Sequence, residues 1–272
     1  MMLHPAKGWS IFIFLLFLYK ISTMDKEYFS NRRSVRSFKD TAVAPELIEE
    51  IVALASKAPT TGNMQLYSVI ATTRPEQHRE LAKLHFNQPA STGAAALLTV
   101  CADFTRFERW CQLNDAKPGF SNWEGLLYGF FDATIFAQQI VTIAEGLGLG
   151  TCYLGTTTFT APDIATLLQL PARVIPLTTI AIGYPAEEGV ATERIKQHGI
   201  LHFGTYSNFS DEDIADIYRP KDEFDDNKKF VTENGKANLA QVFTDIRYPE
   251  AMNAEFSLKW KEYLRSICGF DI

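Results

Sequence analysis

The chain is poor in the residues that build metal centres, and the few it has are scattered. Of 272 residues only 4 are cysteine and 5 are histidine. Cys101, Cys111, Cys152 and Cys268 form no Cys-x-x-Cys pair, and none has a histidine at zinc-ligand spacing. No metal site and no disulfide framework are expected, and a reducing compartment, the cytoplasm, fits best. A long basic stripe is also missing. The formal charge is -6, so the electrostatic footprint of a nucleic-acid binder is absent and no such partner is expected. There is no internal repeat and no low-complexity tract. The one strongly apolar run near the start, "WSIFIFLLFLY" from Trp9 to Tyr19, falls well short of the roughly 20 residues that span a bilayer. The "KISTM" behind it offers no Ala-x-Ala-like cleavage site. Residues 1–23 are therefore expected to be an upstream extension before a start at Met24, with a signal or weak anchor as the rival and no stable membrane association.

What remains is an ordinary globular composition, 46% hydrophobic and 21% charged. "PELIEEIVALASKAP" places Pro45 at a helix start and Leu47, Ile48, Ile51, Val52 and Ala55 on one side. "SVIATT" and "LLTVCADF" predict strands, with "PEQHRELAKLHF" a surface helix between them. From Trp123 to Leu147 the chain is apolar on most faces, which predicts a helix buried in a domain centre or against another subunit. "GTCYLG" predicts an extended segment, "DIATLLQLP" a short helix and "VIPLTTIAIGYPAEE" a strand ending in a turn. Helices alternate with strands, so the class is α/β or α+β. After about Ser210 the chain turns highly charged, and a helix followed by an exposed connection is expected there, with Pro220 as the breaker. "FSLKWKEYLRSICGF" then predicts a terminal helix with Phe256, Trp260, Tyr263, Leu264 and Ile267 on one docking stripe.

Four segments carry candidate chemistry. "NRRSVRSFKD" concentrates cations in an acidic chain. Arg32, Arg33, Ser34 and Arg36 suit a phosphate, since guanidinium forks pair with it bidentately; a solvated turn is the plain alternative. "APTTGNMQ" offers Pro59, Thr60, Thr61, Asn63 and Gln65 around a glycine that permits close approach, and could hydrogen-bond a polar heterocycle or simply end a helix. "GTCYLGTTTF" could turn Gly155 and the following N–H groups toward a ligand edge, or be a glycine turn. Arg194, after "GYPAEEGVATE", is a further phosphate ligand or a surface charge.

Taken in order, "RRSVR", "APTTGNMQ", "EGLGLGTCYLG", "AIGYPAEE" and the later Arg194 resemble the FMN-dependent nitroreductase family over roughly residues 25–205. The resemblance implies an α+β fold of three layers, with a mostly antiparallel central sheet flanked by helices, in an entwined homodimer. It implies FMN in a cleft between the subunits, with NADPH or NADH as electron donor and a small-molecule acceptor. By the same resemblance Arg32, Arg33, Ser34 and Arg36, joined by Arg194, would hold the phosphate and ribityl chain. Pro59, Thr60, Thr61, Asn63 and Gln65, supplied by the partner chain, would approach the isoalloxazine, and Tyr153, Leu154, Gly155 and Thr156 would line its other edge. No protein nucleophile or acid is required, so no catalytic residue is assigned. Leu66 and Tyr67 stand where many members have Pro-Trp. The division expected is a flavin-binding domain over 24–210 and an extension over 211–272 packing on the dimer, which resembles that of the NADPH-preferring branch. Two other functions stay open: a flavin-binding protein with little turnover, and a member with different redox chemistry such as dehydrogenation or dehalogenation, decided by the pocket around Phe107 to Phe120.

Overall fold

The structure, a computed structural model, describes residues 26–269; the apolar run at Trp9–Tyr19 lies outside them. Four strands form one antiparallel sheet: β1 (Tyr67–Thr72), β2 (Ala96–Asp103), β3 (Gly150–Leu154) and β4 (Val174–Gly183), in the order β1-β2-β4-β3. β2 is buried along its whole length, as a central strand covered on both faces must be, and it pairs from Ala96↔Ile182 to Asp103↔Val174 with one irregularity at Val100/Cys101.

The strand period of two sorts the core into layers. From β2, Ala96, Leu98, Val100 and Ala102 face one side, with Ile180 and Ile182 of β4. There they meet α2 (Pro45–Ala55), which has its proline at the first turn, and the long α6 (Trp123–Gly146). Leu97, Ala181, Cys152 and Leu154 face the other way. They pack against α3 (Pro75–Leu84), α4 (Pro89–Gly93) and α7 (Ala161–Leu167). The expected α/β/α layering and antiparallel sheet are therefore present. A short α1 (Lys26–Ser30) precedes the sheet, and α5 (Thr105–Leu113) follows β2.

α6 begins where Asn122 caps it, its side chain accepting the Gly125 N–H at 2.9 Å. The helix is not buried all round. Leu126, Gly129, Ala133, Phe136, Ala137, Ile140, Val141 and Ala144 are in the core, whereas Trp123, Leu127, Phe131 and Ile135 are 52%, 41%, 57% and 41% exposed. Among the described residues it is the one helix long and apolar enough to cross a membrane; its buried side instead packs on the sheet.

The described residues divide into two compact units, 26–190 with 259–269, and 191–258. The second holds α8 (Asp211–Glu223), α9 (Asp225–Glu233) and α10 (Leu239–Val242). The charged stretch expected to be an exposed connection is helical, and Pro220 does not break it. Pro220 lies in the last turn of α8, so few helical residues follow the bond it cannot donate; the chain turns instead at Phe224, with ψ 126°. A reciprocal Ser210–Asp213 capping box starts α8. α11 (Glu250–Cys268) ends in the first unit, where Trp260, Tyr263, Leu264 and Ile267 join the core as the stripe anticipates. Arg173 secures that end, donating to the Cys268 carbonyl at 2.6 Å and pairing with Glu108.

Behind the sheet, His85 is completely buried. Its Nδ1 meets the Thr156 hydroxyl at 2.9 Å, and its Nε2 has no partner among the described residues. Burial lowers its pKa from 6.5 to about 4. The unfolded chain therefore binds a proton that the folded one refuses. The stability this neutral ring allows is complete above pH 6.5 and drains away as pH falls toward 4, reaching about 3 kcal/mol. His85→Asn removes that titration. Urea melts at pH 7.5 and 4.5 should show the parent losing more stability than the variant over this range; an equal loss in both would mean the ring is hydrated.

Candidate functional site

The arginine segment is laid along β3. The Val35 N–H donates to the Thr151 carbonyl at 2.9 Å. This approach needs Gly150, because a methyl group there would lie 2.7 Å from the Val35 side chain. Val35 is thereby buried, and the cations on either side of it are held beside the end of α6. A cleft of about 650 Å3 opens here, lined among others by Tyr28, Arg32, Arg33, Lys39, Glu145 and Glu188.

Glu145, in the last turn of α6, organises the cleft wall. Its carboxylate pairs with Arg32 at 3.3 Å and accepts from the Tyr28 hydroxyl at 2.8 Å and from Thr151 Oγ1. Burial, reinforced by that bond to Glu145, pushes the Tyr28 phenol up, so it stays a donor. Arg33 reaches Glu188 at 3.3 Å, but Glu188 is 89% exposed, and a pair so open to water holds weakly. Arg36 is exposed and makes no ion pair among the described residues. Arg36 and Arg32 both press on the Cys152 thiol, although burial of that thiol dominates and raises its pKa. Arg32 also opposes the burial that lifts Tyr153 to about 12. Arg32, Arg36, Cys152 and Tyr153 therefore share one electrostatic neighbourhood. Ser34 is half-buried within the same segment.

The second predicted segment lies elsewhere. Thr61–Asn63 forms a single 3-10 turn after α2, followed by Gln65 with φ 55°. Asp132 of α6 is fully buried and accepts the Thr61 N–H at 2.7 Å and the Leu66 N–H at 3.2 Å. Pro59 and Gln65 are exposed, and Gln65 folds back on Asn63. The Thr60 hydroxyl is buried with no partner among the described residues, an unfilled hydrogen-bonding capacity in a loop expected to meet a ligand. Asp132 and Glu145 are thirteen residues apart on one helix, hence about 20 Å along its axis. One chain thus holds the loop against the middle of α6 and the arginine segment against its C-terminal end.

Of the third segment, Tyr153 is half-buried, with its hydroxyl 3.4 Å from Gln138, and Leu154 is buried. Gly155 has open space where a Cβ would stand. The Thr156 side chain is committed to His85. Arg194 belongs to the second unit, is exposed, and turns back on Thr192 and the Glu193 carbonyl. Beside the loop, Arg106 of α5 donates to the Gln65 and Tyr67 carbonyls at 3.0 and 2.6 Å. Next to it Phe107, Trp110, Phe120 and Tyr128 form an aromatic chain with ring centres 5.8–6.2 Å apart.

Sequence reasoning treats Glu145 and Asp132 only as interruptions of an apolar helix, and it passes over Tyr28, Lys39 and Arg106. A carboxylate inside an otherwise apolar helix is itself the available signal, because it must find a donor when buried.

The sequence profile of the nitroreductase family matches residues 29–184, more than half of the chain. The chain belongs to the nitroreductase family. Its relatives agree: it is 32% identical over 203 residues to the FMN reductase (NADPH) of Bacillus subtilis, covering 70% of this chain and 82% of that protein. A solved structure from Bacteroides fragilis superposes with a TM-score of 0.87 at 40% identity, over 90% of this chain and all of that one. The B. subtilis nitroreductase NfrA1 superposes with a TM-score of 0.73 at 28% identity, over 86% and 97%. Nitroreductase membership covers both the arginine segment and the loop at 59–65, and it stops short of Arg194.

Proposed function

We propose that this nitroreductase-family chain is an NAD(P)H-dependent flavin oxidoreductase that binds FMN and acts as a homodimer in the cytoplasm on small oxidised acceptors. The observation that carries this reading is that one matched stretch contains both the arginine segment and the Asp132-braced loop. The donor set fits FMN. Arg36 is exposed with no ion pair among the described residues and acts on the same Cys152 thiol as Arg32, which suits a phosphate, and the unpaired Thr60 hydroxyl suits the polar edge of a flavin ring. Bound FMN supplies two-electron chemistry between NAD(P)H and an acceptor.

The protein's part is to bind and orient. Arg32, Arg33, Ser34 and Arg36 hold the phosphate and ribityl chain. Glu145 keeps Arg32 in place, its partial burial making the pair less sensitive to salt than a surface pair. Tyr153, Leu154, Gly155 and Thr156 face one edge of the ring. Pro59, Thr60, Thr61, Asn63 and Gln65 face the other from the partner chain, since within one chain that loop and the arginine segment are held about 20 Å apart along α6. The exposed apolar stripe Trp123–Leu127–Phe131–Ile135 supplies the surface on which the copies meet.

The visible spectrum of the purified chain tests the reading directly. A flavin band that bleaches on anaerobic addition of NADPH, and returns when a quinone or nitroaromatic is added, is the expected result. A colourless protein that takes up no FMN would overturn it, and a flavin that NADPH does not bleach would leave only a binding protein.

A further inference from the structure

α6 buries one carboxylate, and it does so against the loop at residues 59–66. Asp132 is 0% exposed. One of its oxygens accepts the Thr61 N–H at 2.7 Å and the other accepts the Leu66 N–H at 3.2 Å. A single side chain therefore ties together the two ends of the loop. Between those ends three residues adopt the left-handed region, Gly62 at φ 55°, Asn63 at 57° and Gln65 at 55°. For the two that are not glycine this conformation is unfavourable, and it persists only where the surroundings impose it.

The surroundings do so from both sides. On the outer side, Arg106 donates to the Gln65 and Tyr67 carbonyls and to Ser68 Oγ at 2.7 Å, while pairing with Asp103 at 3.3 Å. Two peptide units are thus gripped: Gln65–Leu66 at both of its polar groups, the carbonyl by Arg106 and the N–H by Asp132, and Tyr67–Ser68 at its carbonyl by Arg106 again. A buried carboxylate needs its hydrogen bonds in full, so the backbone of the loop is bound as firmly to Asp132 as Asp132 is to it.

We propose that Asp132 is a positioning residue, which with Arg106 holds the loop Thr61–Leu66 in its left-handed geometry and so fixes where Thr60, Asn63 and Gln65 meet the flavin ring. This rests on the flavin reading above. Asp132 itself touches neither cofactor nor substrate; it acts through the loop. The chemistry of the variant is unambiguous. In Asp132→Asn one of the two positions facing an N–H becomes an NH2 group, so a donor opposes a donor and one end of the loop is released. Asp132→Glu keeps both acceptors on a longer arm.

Two readouts separate this proposal from the function it rests on. In the protein without FMN, hydrogen exchange at Thr61 and Leu66 should speed up at least tenfold in Asp132→Asn, while the β2 and β4 amides keep their protection. In the loaded protein the same variant should retain FMN through the arginines, yet show altered fine structure in its visible band and roughly tenfold slower bleaching by NADPH. Asp132→Glu should restore part of both. Arg106→Gln changes a side chain that is 57% exposed, so it tests the same loop without disturbing the core. It should reproduce the change in the flavin band if Asp132→Asn fails to fold. Unchanged loop exchange and an unchanged flavin band in Arg106→Gln and in whichever Asp132 variant folds would overturn the proposal. Failure of the parent to bind FMN would instead remove the flavin reading, with the exchange result still deciding whether Asp132 holds the loop.

Discussion

A chain carrying Arg32→Ala together with Arg36→Ala should emerge from purification colourless, and its affinity for added FMN should fall by about 100-fold or more. Hydrogen bonds to charged groups contribute roughly 1.5–3 kcal/mol each, so losing two guanidinium contacts to a phosphate costs at least about 3 kcal/mol, or about two powers of ten. Arg32 cannot be removed without consequence at home, because Glu145, only 10% exposed, would lose its cation. Arg36→Ala alone provides the control. It is exposed and makes no ion pair among the described residues, so the fold should not notice, while FMN affinity should fall about tenfold on the same estimate. Fluorescence titration of the stripped proteins measures both. If the double variant binds FMN as tightly as the parent and melts at the same temperature, the segment at 31–40 is a solvated turn and the phosphate lies elsewhere.

Phe131→Asp should convert the protein to monomers that do not retain FMN. Phe131 is 57% exposed at the middle of the stripe formed with Trp123, Leu127 and Ile135, residues four apart that line one side of a helix. Burying a large apolar side chain is worth about 1.5–3 kcal/mol. In a symmetric pair the loss is felt twice, and two carboxylates brought to the contact add several kcal/mol of desolvation. The dissociation constant should therefore rise at least about 1,000-fold. The monomer's own fold should be untouched, because the helix presents its opposite side, with Phe136 and Ile140, to the core. Light scattering after gel filtration reads the mass, and the absorbance trace at the flavin band reads the cofactor in the same run. A dimer that persists with its flavin would show that α6 meets solvent through this stripe and that the copies join by another face.

Much of the fold can be read locally. The short apolar run in "LLTVCADF" and the helical spacing in "PELIEEIVALA" find their elements within a residue or two, because a strand's composition and a helix's period depend on neighbours a few positions away. The misreading at Pro220 has the same origin in reverse. A proline is a breaker by local rule, but in the last turn of α8 it leaves little to break. The aromatic stripe of the terminal helix was legible for a similar reason, since any such stripe must be covered by something.

The candidate site divides along the same line. The clustered arginines and the Thr-Thr-Gly-Asn loop are visible in the sequence, each with a plain alternative in a solvated turn or a helix end, and it is their order and spacing together that point to a site. Their wiring does not stand out. Thr61 finds Asp132 across 71 positions and Tyr28 finds Glu145 across 117. The sequence by itself determined a class of alternating helices and strands, α/β or α+β, which its family resemblance narrowed to layered α+β, together with the position of each strand and which segments were rich in anion-binding and amide groups. Only the tertiary structure decided that Glu145 holds Arg32, that Asp132 and Arg106 brace the loop, and that α6 has a covered side and an open one. The physical reason is one of range. Backbone hydrogen bonding and periodic burial are set by the nearest few residues, whereas the partner of a buried charge is whichever group the packed sheet and helices bring to it.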